Sequence, residues 1–253
     1  MTDAPRFELS EMSVSGSTAV LTLTGDKVHS LGKDTLDEIV SFVDFCEHDP
    51  AVKALVLTAG GDIFSAGLNV NEVLTDSADS VLDAFQIVLL RVLESPLPTV
   101  AAINGSAIAG GCLLACACDL RLIADEARIG VTELRVGVAF PVLTVELMRH
   151  VCGHRAEEVI FGARLLEAQE ACAVGIAHRH VPRTELEAAA SGAAEQLAAL
   201  DAAAYALAKG ALRREMLSSI RDEGGRTLER EVRAHWQGDA TRENLERLVA
   251  PKR

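Results

Sequence analysis

Apolar and polar positions along the chain fall into two regimes. Across residues 20–23 and 54–58 the apolar residues run almost without interruption, the pattern of short strands buried on both faces. Between them, Leu36, Ile39, Val40 and Val43 recur within 33–47 at the spacing of one helix face. A helix joining two buried strands is a crossover unit. Residues 81–93 repeat the helical spacing, Pro96 and Pro98 interrupt it, and 99–103 and 120–124 read as further strands. The first half is thus predicted to be an α/β array of crossovers. Beyond Pro141 strand signals nearly vanish, apart from 177–181. Pro141 suits the first position of a helix reaching His150, which Gly153 stops, and helices are predicted over 155–161, 167–174, 185–200, 202–220, 223–236 and 242–249. The division expected is an α/β core over 1–195 and a helical C-terminal region over 196–253.

Composition narrows the classes available. The 253 residues are 49% hydrophobic but only 4% aromatic, which suits one large domain with an aliphatic core. A formal charge of -13 argues against nucleic acid as a partner, because phosphate backbones demand a basic surface. No run of eighteen apolar residues and no basic start followed by an apolar stretch occurs, so a cytoplasmic protein without a membrane partner is expected. The six cysteines, Cys46, Cys112, Cys116, Cys118, Cys152 and Cys172, lack the spacing of a disulfide scaffold or of paired zinc ligands. Buried, reduced thiols and no metal are expected.

The candidate chemistry sits at two small-residue turns. In 101–119 an apolar strand runs into Asn104-Gly105, then into Ala109-Gly110-Gly111 at the start of an apolar helix. The first N–H groups of a helix have no intrahelical acceptor, so Gly110 is suited to stabilising negative charge. A second turn, Phe64-Ser65-Ala66-Gly67, also follows a buried strand.

The order of these two turns resembles the crotonase superfamily, the enoyl-CoA hydratase/isomerase family, over nearly the whole chain. The resemblance implies a spiral of ββα units followed by a helical C-terminal region. It implies an acyl-CoA thioester substrate, no cofactor beyond that coenzyme A moiety, and a homotrimer or homohexamer, with 196–253 as its oligomerisation region. By motif position the backbone N–H groups of Ala66 and Gly110 become the oxyanion donors, and Glu133 the catalytic base. Leu68, Leu113 and Phe140 become lining residues of the acyl pocket. Lys27 and Ser65 become the coenzyme A contacts, Lys27 standing where the family often has arginine and Ser65 also shaping its turn.

Hydratases of the family carry a second glutamate where this chain has Leu113. A leucine accepts no hydrogen bond, so water activation by two carboxylates is lost, while one glutamate suffices to move a proton from the α to the γ carbon. Double-bond isomerisation is therefore preferred over hydration by an atypical site, over hydrolase or lyase chemistry on another acyl-CoA, and over a catalytically weak acyl-CoA-binding subunit. Burial among Ile108, Leu113 and Phe140 is expected to raise the pKa of Glu133 towards neutrality. His29, His150 and His154 read as structural or solvated, and Lys209, Arg213 and Arg214 as helix surface. No Gly-x-Ser-x-Gly elbow surrounds Ser65, and no Gly-x-Gly-x-x-Gly supports a dinucleotide site.

Overall fold

The chain enters through an antiparallel pair, β1 (Ser10–Ser15) and β2 (Thr18–Leu23), and α1 (Lys33–His48) carries it to β3 (Ala54–Ala59). A computed structural model describes residues 5–75 and 78–250. From β3 onward one step is taken three times: a long strand, a sharp bend, a three-residue strand, then helix. The first step runs from β3 through β4 (Ile63–Ser65) into α2 (Val70–Thr75) and α3 (Ala78–Glu94). The second runs from β5 (Thr99–Ile103) through β6 (Ser106–Ile108) into α4 (Gly110–Ala117). The third runs from β7 (Leu120–Ala124) through β8 (Arg128–Gly130), a 3-10 turn at Glu133–Val136, and into α5 (Val142–Cys152). This is the expected spiral of ββα units. The remainder is α6 (Ala156–Gly162), β9 (Leu166–Glu167), α7 (Ala168–Ala173), β10 (Arg179–Val181), α8 (Arg183–Ala198), α9 (Ala202–Arg221), α10 (Glu223–Trp236) and α11 (Asp239–Val249).

The long strands and the three-residue β10 form one sheet in the order β1-β2-β3-β5-β7-β10, parallel except for the first pair, and the other short strands a second sheet in the order β4-β6-β8-β9. β5 is buried along its whole length and β3 at all but Thr58, consistent with their unbroken apolar sequences. α1 buries Leu36, Ile39, Phe42 and Val43 against the large sheet, each worth about 1.5–3 kcal/mol relative to exposure.

Close approach between the layers rests on small residues. A Cβ on Gly111 would lie 2.4 Å from the Ser65 carbonyl oxygen, so only glycine lets α4 sit against β4. Ala109, just before α4, has φ +52° and ψ −119°, a conformation that strains any residue with a Cβ.

Two expectations are corrected here. Lys209 and Arg213 are not helix surface: both are buried, and both pair with Asp119, Lys209 Nζ to Oδ2 at 2.8 Å and Arg213 Nη2 to Oδ1 at 2.7 Å. Asp119 also accepts from the Thr99 amide at 2.8 Å, so one carboxylate pins α9 to the head of β5. Arg214 is exposed. The strands β1, β4, β6 and β8 and the helix α2 were not anticipated from the sequence pattern. All six cysteines are free, five of them buried, and burial pushes Cys46, Cys118 and Cys152 up to about 12. Among the described residues no helix is long and apolar enough to cross a membrane.

Candidate active site

The second sheet assembles the site. β4 and β6 pair in parallel, Ile63 opposite Ser106 and Ser65 opposite Ala107, so the turns that follow them lie side by side. β8 pairs with the other edge of β6, Ala107 opposite Ile129 and Ile108 opposite Gly130, which brings Glu133 to the far side of the Gly110 turn. Three segments distant in sequence thereby line one cavity of about 560 Å³, whose walls include Ala66, Leu68, Gly110, Leu113 and Glu133.

Gly110 begins α4 and lines this cavity, and its amide, in the first turn of the helix, has no intrahelical acceptor. The Ala66 amide does not join it, a correction to the motif-based assignment: Ala66 N–H donates to the Val28 carbonyl at 2.9 Å. The amide beside Gly110 belongs to Leu68. Leu68 bridges Leu31 in parallel, Leu31 N–H donating to Gly67 O at 2.8 Å and Asn69 N–H to Leu31 O at 3.1 Å. In such a bridge the central residue's own N–H points away from its partner strand, here towards α4. Leu68 N lies 3.3 Å from the point a Cβ on Gly110 would occupy. Gly67, with φ +94°, makes the reversal, and a side chain there would come within 2.9 Å of the Gly110 amide.

Glu133 stands at the head of the 3-10 turn, which Gly137 closes in the left-handed conformation with φ +67°. The Glu133 carbonyl accepts from Val138 N–H at 3.1 Å, fixing the turn from which the side chain projects. Its Oε2 is out of water and, among the described residues, without a hydrogen-bond partner. Desolvation raises its pKa from 4.5 to about 7, outweighing the downward pull of the Thr132 and Glu133 amides. The carboxyl group is therefore poised to exchange a proton near neutral pH. Asp26 also reaches the cavity rim, but its oxygens are taken by the Val28 and Ser30 amides and the Ser30 hydroxyl, which hold its pKa down.

Other sequence-derived candidates fall into place differently. Leu113 and Leu68 line the cavity, whereas Phe140 is packed into the core; the aromatic wall is made by Phe85 and Trp236. Ser65 is fully buried, its hydroxyl donating to His29 O at 2.7 Å and accepting from Gly67 N–H at 3.1 Å, so it braces the turn and is closed to a coenzyme. Lys27 is exposed in a shallow recess with Thr24 and Gly60, separated from the cavity by Asp26. His29 is buried beneath the Phe64–Gly67 turn, Nδ1 to Ile63 O at 2.9 Å, and His150 and His154 lie on the surface.

Sequence reasoning missed the contribution of α10 and α11, which close the cavity with Trp236, Leu245, Leu248 and Val249. A signal existed: Val232 and Trp236, four residues apart in a helix rich in charged residues, mark a narrow inward face.

Comparison with known proteins identifies the family and the fold. The family model for enoyl-CoA hydratase/isomerase matches residues 13–247. Human mitochondrial enoyl-CoA delta isomerase 1 is 33% identical over 219 residues, 84% of this chain and 72% of that protein. The short-chain-enoyl-CoA hydratase of Clostridium acetobutylicum is 32% identical over 214 residues, 81% of each. The crystal structure of human mitochondrial delta3-delta2-enoyl-CoA isomerase superimposes with a TM-score of 0.90 at 28% identity, covering 96% of this chain and 97% of that one. A crotonase fold, two turns meeting at one cavity, and a family match over nearly the full length converge: this chain belongs to the enoyl-CoA hydratase/isomerase family.

Proposed function

We propose that the protein is an enoyl-CoA double-bond isomerase that uses Glu133 as its single acid and base. One observation carries the reading: Glu133 has a carboxylate oxygen without a partner at the cavity, and the position of the family's second glutamate is Leu113. The ionised carboxylate takes a proton from the α carbon of a β,γ-enoyl thioester. The electron pair of that C–H bond passes through the conjugated system to the thioester oxygen, giving a dienolate. Leu68 N–H and Gly110 N–H donate to this oxygen, and preorganised amides of this kind contribute about 10²- to 10³-fold each. Glu133, now protonated, gives the proton to the γ carbon, which moves the double bond to the α,β position and regenerates the base.

Supporting this over hydration, Leu113 offers no second acceptor to hold and activate water. The apolar walls suit an acyl chain, and Lys27, beyond Asp26, is assigned to the coenzyme A phosphates. By family likeness the chain assembles as a trimer or a dimer of trimers. Glu133→Gln keeps the shape and removes the base, so turnover of a β,γ-enoyl-CoA is expected to fall about 10²- to 10⁴-fold with binding preserved. Turnover within a few fold of the parent would overturn the assignment.

A further inference from the structure

The loop that carries Glu133 has little regular structure of its own, yet its backbone is held at successive points by one helix. Three side chains of α10 bond main-chain groups between residues 137 and 142. His235 Nε2 lies 3.0 Å from the Gly137 carbonyl oxygen, Trp236 Nε1–H donates to Ala139 O at 2.8 Å, and Val142 N–H donates to Glu229 Oε2 at 2.9 Å. Glu229 is itself fixed by Gln86 at 2.7 Å, and α11 fits against the same turn, since a Cβ on Gly137 would lie 2.3 Å from Asn244 Nδ2. The middle contact is made by the one of the three α10 side chains that is itself buried. Trp236 packs with Val81, Leu82, Val138, Val232 and Leu245 and also forms cavity wall.

The consequence for Glu133 follows from the order of bonds. The Glu133 carbonyl is held by Val138 N–H, and the next residue's carbonyl is held by the Trp236 indole. Releasing Ala139 leaves the 3-10 turn tied to the rest of the molecule chiefly at its ends, and the base loses its fixed line to the substrate. A half-buried carbonyl without its donor draws the loop away in search of another. A carboxylate that must reach both the α and the γ carbon is sensitive to such displacement, because misplacement by about 1 Å costs up to about 10²-fold in rate.

We propose that Trp236 is a positioning residue of the reaction: its indole N–H, at the centre of a three-point grip by α10 on residues 137–142, holds the Glu133 turn against the cavity. This rests on the reading of Glu133 as the base. The C-terminal region is thus part of the catalytic apparatus of its own chain, in addition to any role in assembly.

Trp236 is the single tryptophan of the sequence, which permits a clean test. Replacing all tryptophan with benzothienylalanine exchanges the indole N–H for sulfur at this one site while keeping ring shape. The full-length protein is compared with Glu133→Gln and with protein carrying 5-fluorotryptophan, which retains the N–H, all with matched circular dichroism. With a β,γ-enoyl-CoA, the benzothienyl protein is expected to lose about tenfold in kcat with KM within about twofold, because the wall remains and only alignment is lost. The fluorotryptophan protein is expected to keep most of the rate. Trp236→Phe also opens a void, so it is expected to raise KM in addition, and the isostere is the deciding arm.

Unchanged kcat in the benzothienyl protein, or a rise in KM alone, would overturn the positioning role while leaving the base in place, provided Glu133→Gln is inactive. Retained turnover in Glu133→Gln would instead overturn the functional reading, and this inference with it.

Discussion

A carboxylate that is to act as both base and acid near neutral pH must be kept partly out of water, and Glu133 is held so by the fold rather than by any charged neighbour. Folding pays for this in stability, with a definite sign. The folded-state pKa, about 7, lies above the ordinary 4.5, so the native state binds the proton more tightly than the unfolded chain. The contribution is fully present below about pH 4.5 and is lost as pH rises through about 7. Glu133→Gln removes the ionisation and is expected to stabilise the protein increasingly across that interval, by about 3 kcal/mol above pH 7. Denaturant unfolding at pH 5 and pH 8 reads it; equal effects of the substitution at the two values would contradict the burial of the carboxyl group.

At the level of elements, the long apolar runs that make β3, β5 and β7, and the amphipathic helices α1 and α3, were legible because each repeats its period several times. The short strands β4, β6 and β8 were not: three residues complete barely one alternation, and pairing with neighbours rather than propensity makes them strands. These hidden strands juxtapose the two turns and Glu133. Motif order singled out Gly110 and Glu133, which both line the cavity, without them, but not which amide of the Ser65-Ala66-Gly67-Leu68 stretch lies beside Gly110. That depended on the bridge to Leu31, a pairing 37 residues away with no local signature.

Lys209 and Arg213 eluded the reading for a similar reason. A basic residue on a helix is a surface residue unless an acid withdrawn from solvent waits for it, and Asp119 lies 90 residues before Lys209, between α4 and β7. Asp119→Asn removes the shared partner of two buried cations and is expected to cost about 3–5 kcal/mol, read as a lowered denaturation midpoint. A loss below about 1 kcal/mol, typical of exposed pairs, would show that α9 is anchored otherwise.

On the scale of the whole molecule, the C-terminal helices face two ways. α10 and α11 turn inward to close the cavity, while α9 leaves Leu207 and Leu212 exposed at 76% and 73%. Large apolar side chains exposed on a helix pinned by buried ion pairs suit contact with another subunit. Native mass spectrometry is expected to give a trimer or hexamer for the parent and smaller species for the paired substitutions Leu207→Ser and Leu212→Ser. An unchanged assembly would assign subunit contact to another face.

The central claim is that the cavity moves a proton and leaves water out of the product. Purified protein incubated with matched β,γ- and α,β-enoyl-CoA substrates in heavy-oxygen water, with products resolved by mass spectrometry, tests it most directly. The account predicts interconversion of the two double-bond positions with no incorporation of solvent oxygen, abolished by Glu133→Gln. Heavy oxygen appearing in a β-hydroxyacyl-CoA at a rate matching or exceeding isomerisation would contradict it.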